Sequence, residues 1–321
     1  MPKKTSRREF VQSAGLIAAG LTGVGTASAQ SARPAAKTMG ARFRELLMGA
    51  EPFPCPSGYD VPSARLVEMH GFKAIFLGSS SVNLGLLGLP DQAVVTVSEI
   101  IDWDSVIASN VGIPCAADVD DFGASPLNVY RFSKEAEKRG IGAAAFDDRM
   151  PLNRARNYAA PGVIPKDQMV DKIHAAVDAR TDMVIVARCL SPTDDRFDRA
   201  MAYAEAGADA VWMEFRTPQD SLRAGQMIKK PIWGTVGSQN FPATPTAMKA
   251  AGIKCGDFPA LVTIALGALD KALTEIGNTG RTTESAKGAL SRETFAKLEQ
   301  VEELNARSRK YHLPSGSASE R

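Results

Sequence analysis

Histidine is scarce. The chain of 321 residues holds three, His70, His174 and His312, dispersed and on stretches with helical spacing. That argues against a histidine-built zinc site. Cysteine is nearly as rare. Cys55, Cys115, Cys189 and Cys255 form no C-x-x-C pair, and each lies in or beside an apolar, strand-like run. A disulfide-dense scaffold is excluded, and buried free thiols are expected, because cysteine packs as a small hydrophobe. No excess of charge of either sign is present. Lys+Arg is 38 and Asp+Glu 36, a formal +2, so the footprint of a nucleic-acid partner is missing. A P-loop is absent, as is a G-x-G-x-x-G after the first strand candidate. Gly78-Ser79-Ser80-Ser81 is not a hydrolase elbow. What remains is ordinary for a globular protein: 44% hydrophobic and 23% charged residues, enough for one large α/β domain or two smaller ones.

The amino terminus reads as a separate object. Lys3, Lys4, Arg7 and Arg8 precede an Ala/Gly-rich apolar stretch from Ala14 to about Ala27, and Ala27-Ser28-Ala29 offers the small residues of a cleavage site. Ser6-Arg7-Arg8-Glu9-Phe10-Val11 resembles a twin-arginine signal, S-R-R-x-F-L. The apolar stretch, diluted by Gly15, Gly20, Gly23 and Gly25, is too short and too small to make a stable membrane anchor. Residues 1–29 are therefore read as an export signal, with the twin-arginine machinery as partner and the periplasm as destination. Residues 30–40 follow as a linker without periodicity. The signal carries four of the basic residues and one acidic one, so the remaining chain is formally −1.

From residue 53 onward, short apolar runs alternate with longer amphipathic ones. Strands are predicted at 53–57, 73–78, 113–119, 142–146, 183–187, 208–215, 231–236 and 253–258. Helices are predicted at 60–70, 97–110, 126–139, 166–180, 196–206, 218–228, 245–251, 259–277 and 291–311. Gly71, Gly140, Gly207 and Gly252 supply helix stops. Eight strand–helix units with short connections favour a closed (β/α)8 barrel over 41–280, with a helical extension at 281–312 and a disordered tail at 313–321. An open doubly wound sheet is the alternative, disfavoured by the missing glycine fingerprint.

In a barrel, chemistry sits at the carboxyl ends of the strands. Those ends carry Asp118, Asp120 and Asp121 after the third strand, Asp147 and Asp148 after the fourth, Arg188 after the fifth and Glu214 after the sixth, with Asp91 in the connection after the second. Carboxylates converging without a lysine repel one another, and a hard divalent cation held partly through water relieves them. Asp118 and Asp120 share a face if the third strand stays extended through them. Solvated turns and helix caps are the competing reading for such acids. It is preferred for Asp60, Asp194 and Asp195, each just ahead of a helix. Arg188 suits either a structural ion pair or a bidentate clamp on a substrate carboxylate.

The order of motifs resembles the isocitrate lyase/phosphoenolpyruvate mutase superfamily over about residues 42–280. Ser57-Gly58-Tyr59-Asp60 with Ser63-Ala64-Arg65-Leu66 is similar to G-x-Y-D-A-x-S-A-R-L. Leu87-Gly88-Leu89-Pro90-Asp91 is similar to S-L-G-x-P-D, and Ala117-Asp118-Val119-Asp120 to A-D-x-D. Val186-Ala187-Arg188 matches I-A-R, and Tyr203 to Asp209 matches Y-x-E-A-G-A-D. The resemblance implies a (β/α)8 barrel that swaps its last helix between subunits of a homodimer or homotetramer. It implies Mg2+ or Mn2+ near Asp91, Asp118, Asp120 and Asp147, and enolate chemistry on 2-oxo or 2-hydroxy carboxylates. The amides of Gly78-Ser79-Ser80 and the Arg188 guanidinium would hold the carboxylate substrate, with Glu214 beside them, and Asp91, Asp120 and Arg188 would serve catalysis.

Several positions depart from the pattern. The family's E-D-(Q/K) is Asp147-Asp148-Arg149 here, one methylene shorter at the metal. The K-K-C-G-H lid of the lyase branch is replaced by Met150 to Tyr158, which has no Cys, Lys or His; Arg154, Arg156 and Tyr158 suit either a new lid over an anionic substrate or a solvated basic loop. The K-x-x-x-x-N-S of the phosphonate branch is missing, Phe76 replaces a Tyr, and Gly234-Thr235-Val236-Gly237-Ser238 replaces N-x-T-E-G-G. The leading expectation is a metal-dependent lyase acting on a small 2-oxo or 2-hydroxy di- or tricarboxylate. Decarboxylation of an oxaloacetate-like acid fits well because it needs no lid cysteine. Phosphorus–carbon chemistry on a phosphonopyruvate-like acid is the alternative, and an exported non-catalytic carboxylate-binding protein is the alternative of another class.

Overall fold

A computed structural model describes residues 36–91, 94–150, 162–259 and 261–313. The compact unit begins at Lys37. Nearly all of the stretch read as a signal and linker, the replacement lid (Arg154, Arg156 and Tyr158) and tail residues 314–321 lie outside the described residues.

Eight parallel strands form the sheet: β1 Phe53–Pro56, β2 Ile75–Leu77, β3 Cys115–Asp118, β4 Ala143–Asp147, β5 Val184–Cys189, β6 Ala210–Met213, β7 Ile232–Thr235 and β8 Cys255–Phe258. Each pairs with its sequence neighbour from β2 to β8, and β8 pairs with β1. The ring closes between β1 and β2 through a bridge of Ser57 with Phe76, where the Gly58 amide donates to the Phe76 carbonyl at 2.9 Å. This is the (β/α)8 barrel expected from the alternation.

The helices run α1 Met39–Met48, α2 Val61–Met69, α3 Ser79–Leu87, α4 Val97–Ala108, α5 Pro126–Lys138, α6 Lys166–Ala179, α7 Arg196–Glu205, α8 Pro218–Met227, α9 Pro245–Ala250, α10 Leu261–Thr279, α11 Arg292–Leu298 and α12 Val301–Lys310. Several starts are legible as caps. Asp60 accepts from the Ser63 amide at 2.7 Å while the Ser63 hydroxyl accepts from the Asp60 amide, a reciprocal box that confirms Asp60 as structural. Asp195 stands ahead of α7 as expected but makes no side-chain capping bond. Its carboxylate instead accepts from Ser191, from Thr193 at 2.7 Å and from Arg199 at 2.7 Å.

Three elements differ from expectation. The helix α1, capped by Thr38, takes up the last two residues of the stretch read as linker. It plugs the amino end of the barrel with Phe43 and Leu47, which join the apolar interior cluster. The helix α3 occupies a stretch too poor in periodic apolar residues to read as one. The single helix expected at 291–311 is two. Gln300 at φ +55° breaks it, and Arg65 of α2 fastens the break by donating to the Leu298 carbonyl at 2.7 Å and to Gln300 at 3.2 Å.

Register fixes what points into the barrel, because residues paired across strands face the same side and alternate along each strand. Cys55, Phe76, Ala116, Ala145, Val186, Trp212, Trp233 and Cys255 fill a buried interior layer. Phe76 meets Trp212 edge-on at 5.4 Å between centroids, and Trp212 and Trp233 stack at 5.7 Å. One step of alternation toward the carboxyl ends gives the next layer: Asp118, Asp147, Arg188, Glu214, Thr235 and Asp257. Among the described residues no helix is long and apolar enough to cross a membrane.

Candidate active site

The third strand does not stay extended as the sequence reading assumed. It ends at Asp118, and Asp120 turns at φ +58°, a left-handed conformation that aspartate tolerates better than most side chains. The turn is tied down from several sides. The Asp120 amide donates to Asp118 Oδ1 at 3.3 Å, the Asp120 carbonyl accepts from the Asp147 amide at 2.8 Å, and the Val119 amide donates to the Ala145 carbonyl at 2.9 Å. Asp118, Asp120 and Asp147 are each buried to 6% exposure or less. Asp118 and Asp120 therefore do not share an extended strand face; a tight turn sets Asp120 beside Asp118, on whose carboxyl it bears. Asp121 serves the turn itself, accepting from the Gly123 amide at 3.0 Å.

Asp147 and Asp148, adjacent in sequence, separate by alternation. Asp147 points to the barrel mouth. Asp148 points away and is fully buried, accepting from the Tyr203 hydroxyl at 2.8 Å and the Leu190 amide at 2.8 Å, with Arg199 at 3.7 Å. It fastens β4 to β5 and α7 and takes no part in the mouth. Next to it, the Met150 amide donates to the Gly162 carbonyl at 3.0 Å.

Arg188 is the cation of this layer. It donates to Glu214 at 2.9 Å and to Asp118 at 3.4 Å, and its guanidinium lies 3.8 Å from the Trp212 ring centroid. Burial works against its charge, but Asp118, Asp147, Glu214 and Asp257 outweigh that and raise its pKa. Its Nε is buried without a partner among the described residues. For Asp118, burial comes first, and Asp120, Asp147 and Asp91 add to it. Together they outweigh Arg188 and hold the carboxyl up at about 7. The half-buried Asp91 thus belongs to the acidic group through its field on Asp118.

Gly78 precedes α3, with Ser79 buried and Ser80 exposed in its first turn. No side chain caps this end. The opening amides of a helix lack intrahelical acceptors and carry the positive end of its dipole. The segment expected to hold a carboxylate through Gly78, Ser79 and Ser80 is therefore a helix amino terminus.

Sequence reasoning missed the far side of the mouth. Asp257 of β8 is 1% exposed and accepts from Trp233 Nε1 at 3.0 Å and from Thr235 Oγ1 at 3.2 and 3.3 Å. Burial pushes its carboxyl up to about 6 against Arg188 and these hydrogen bonds. The alternation of Cys255 and Asp257 within the eighth predicted strand was the available signal.

The acids present are hard oxygen donors of one sign whose mutual repulsion is already visible at Asp118, which suits Mg2+ or Mn2+. Among the described residues no three His, Cys, Asp or Glu side chains are disposed to cage a metal by themselves. The fit rests on the chemistry of Asp118, Asp120 and Asp147 alone: carboxylate oxygens suit a cation that keeps part of its water, the usual habit of Mg2+.

An acidic mouth at the carboxyl ends of a (β/α)8 barrel, faced by one arginine and one helix amino terminus, is the place where enzymes of this fold carry their chemistry. The chain belongs to the isocitrate lyase/phosphoenolpyruvate mutase superfamily of lyases and mutases: the phosphoenolpyruvate phosphomutase family profile matches residues 43–277. It is 33% identical over 214 residues to the 2-methylisocitrate lyase of Salmonella typhimurium, covering 64% of this chain and 72% of that one. It is 34% identical over 195 residues to an oxaloacetate decarboxylase of Rhodopseudomonas palustris, covering 58% and 67%. With the 2,3-dimethylmalate lyase of Eubacterium barkeri it shares 30% identity over 189 residues, 57% of this chain and 65% of that one. The fold is that of an oxaloacetate acetylhydrolase solved with 3,3-difluorooxalacetate, with a TM-score of 0.79 at 22% identity over 87% of this chain and 99% of that one.

Proposed function

We propose that the protein is a Mg2+- or Mn2+-dependent lyase that breaks a carbon–carbon bond in a small 2-oxo or 2-hydroxy di- or tricarboxylate, with decarboxylation of an oxaloacetate-like acid as the preferred reaction. The carrying observation is the single layer that brings Asp118 and Asp147 against Arg188, with Asp120 folded onto them. Asp118, Asp120, Asp147 and Asp91 are the residues that would hold the cation. When bound it supplies a Lewis acid that favours the enolate form of a 2-oxo acid.

The chain's own residues do the rest. Arg188, stacked on Trp212 and held by Glu214, presents a fixed fork to a carboxylate. The first-turn amides of α3 offer a second anion seat. With both ends held, the departing carboxylate is aligned for loss of CO2, and the bonding electron pair passes into the enolate. The missing lid Cys argues against the 2-methylisocitrate type of cleavage. The relatives named oxaloacetate decarboxylase support the preferred reaction.

The same reading extends to assembly and address. The protein forms a homodimer or homotetramer in which α10 docks on a partner barrel. Support comes from α10 itself, where Val262 alone is buried while Ile264, Leu269, Leu273 and Ile276 are 45–65% exposed. An apolar cavity of about 370 Å³ lies beside its start, lined by Leu66, Val67, Phe72 and Phe258. The twin-arginine motif directs the chain to the periplasm.

The test is a panel of 2-oxo and 2-hydroxy acids with Mg2+ or Mn2+, scored for pyruvate, CO2 and phosphate, with Asp118→Ala in parallel. CO2 release that Asp118→Ala abolishes supports the reading. Phosphate release from phosphonopyruvate overturns it in favour of phosphorus–carbon chemistry. Metal binding without any turnover overturns it in favour of a carboxylate-binding protein.

A further inference from the structure

An enolate left by carbon–carbon cleavage must take a proton at carbon, and the cysteine that serves this in the lyase branch is missing from the lid sequence here. The interior layer of the barrel offers another source. Asp257 stands at the carboxyl end of β8, paired in register with Cys55 on one side and Thr235 on the other. Two residues beyond the inward Cys255, it faces the barrel interior, and its charge bears on Arg188, which pairs with Asp118. It is no part of the acidic group at the metal face. Its carboxyl is fixed by Trp233 Nε1 at 3.0 Å, and the Trp233 ring is in turn packed between Phe43 and Trp212. Thr235 is exposed at the mouth, with its hydroxyl 3.2 and 3.3 Å from the two Asp257 oxygens.

Resting on the lyase reading above, we propose that Thr235 and Asp257 form the proton-delivery pair: the Thr235 hydroxyl protonates the enolate carbon and Asp257 replaces the proton. A hydroxyl both donates and accepts. With Asp257 protonated, its O–H donates to Thr235 Oγ1, which turns the threonine proton toward the mouth. As the carbon takes that proton, Asp257 supplies its own to the oxygen. A neutral threonine, an Asp257 carboxylate and a 2-oxo acid product result, and solvent then reprotonates Asp257. Charge and proton count balance without a further reactant. Thr235 is the catalytic residue of the pair, and Asp257 acts through it.

The setting raises the carboxyl well above its ordinary range. Burial works in that direction, and Arg188 is the charged group that opposes it most. Asp118, Asp147 and Glu214 share the layer and press on Arg188 in turn. Cys55 on β1, Trp233 and Thr235 on β7, and Cys255 on its own strand bring no charge. A general acid poised near the working pH is the efficient kind.

Two variants and two readouts test the pair in the metal-loaded full chain. Asp257→Asn keeps the shape and can still bond to Trp233 and Thr235, and Thr235→Val removes the relay hydroxyl. Each is expected to lower kcat for the acid that the wild type turns over by at least 100-fold, with KM within threefold. Asp257→Asn should also lose the fall in kcat that the wild type shows as pH rises through the Asp257 titration. The second readout needs no turnover. Oxalate, a dianion shaped like a pyruvate enolate, is titrated calorimetrically in buffers of different ionisation heat. The wild type is expected to take up a proton fraction on binding that Asp257→Asn does not. Wild-type kcat and pH profile in either variant, or equal proton uptake by wild type and Asp257→Asn, overturns the proposal. If no acid is turned over, the lyase reading fails on its own evidence, and the oxalate comparison still decides for or against the pair.

Discussion

Magnesium binding to the metal-free protein is expected to weaken between pH 8 and pH 5.5, and Asp118 sets the size of the effect. Burial and the neighbouring Asp120, Asp147 and Asp91 outweigh Arg188 and place its pKa at about 7, above the ordinary 3.8. The sign follows from that direction. A carboxyl with a raised folded pKa costs the fold stability at high pH, and the cost disappears as pH falls through 7 toward 4. A cation bound at this group favours the carboxylate and competes with its proton. With a pKa near 7, about 10% of Asp118 is protonated at pH 8 and about 97% at pH 5.5. Displacing that proton weakens apparent affinity by roughly 30-fold, or about 2 kcal/mol. Thermal melts over a Mg2+ series at each pH yield the apparent Kd from the rise in Tm, with chelator-treated protein as the zero point. Asp118→Asn should abolish the pH-dependent part and most of the binding. Equal affinity at the two pH values would refute the placement of the cation beside Asp118, as would unchanged Mg2+ binding by Asp118→Asn.

Three other consequences are open to measurement. Asp209→Ala strands Arg44 and Arg180, both of which pair with Asp209, and leaves the Ile185 amide without its acceptor at 2.9 Å. Urea titration should show a loss of about 3 kcal/mol. Tyr203→Phe removes the hydroxyl that donates to the buried Asp148 carboxylate. A loss of about 1–3 kcal/mol is expected with an unchanged m-value, because the compactness of the fold is untouched. Charges at the exposed apolar face of α10, as in Leu273→Glu with Ile276→Lys, should convert the oligomer to monomer by light scattering. Retention of the wild-type mass would show that α10 is not the docking element.

The barrel was legible because its signals are local and periodic. Each strand was an apolar run, most helices were amphipathic ones, and glycine stops such as Gly140 and Gly207 take positive φ where they end a helix. That acids gather at one end of the barrel was legible too, since strand ends converge in this fold whatever their sequence. What the sequence hid was geometry that depends on more than one segment. The turn at Asp120 reverses the assumption of an extended strand because bonds from β4 hold it, and nothing within Ala117 to Gly123 announces those bonds. The helix α3 lacks a periodic apolar face and is held from outside its own sequence. Asp148 read as a neighbour of the mouth until alternation sent it into the contact with Tyr203 and Leu190.

Asp257 shows why the position of a charge tells more than the count of charges. A buried carboxylate beside an aromatic layer lowers stability at neutral pH, and an apolar side chain would pack there without that cost. Among the described residues no ion pair closes on it, although Arg188 bears on it through its field. The surrounding structure fixes the group instead, with an indole N–H from the barrel interior on one oxygen and a hydroxyl open to the mouth spanning both. Trp233 in turn is locked against Phe43, so the rigidity reaches from the helix that plugs the amino end to the carboxyl in the mouth. Groups held in this costly way cluster at functional sites. If the proton-delivery pair operates, the altered sequence after β7 and the acid on β8 act together, on strands whose packing keeps them in place.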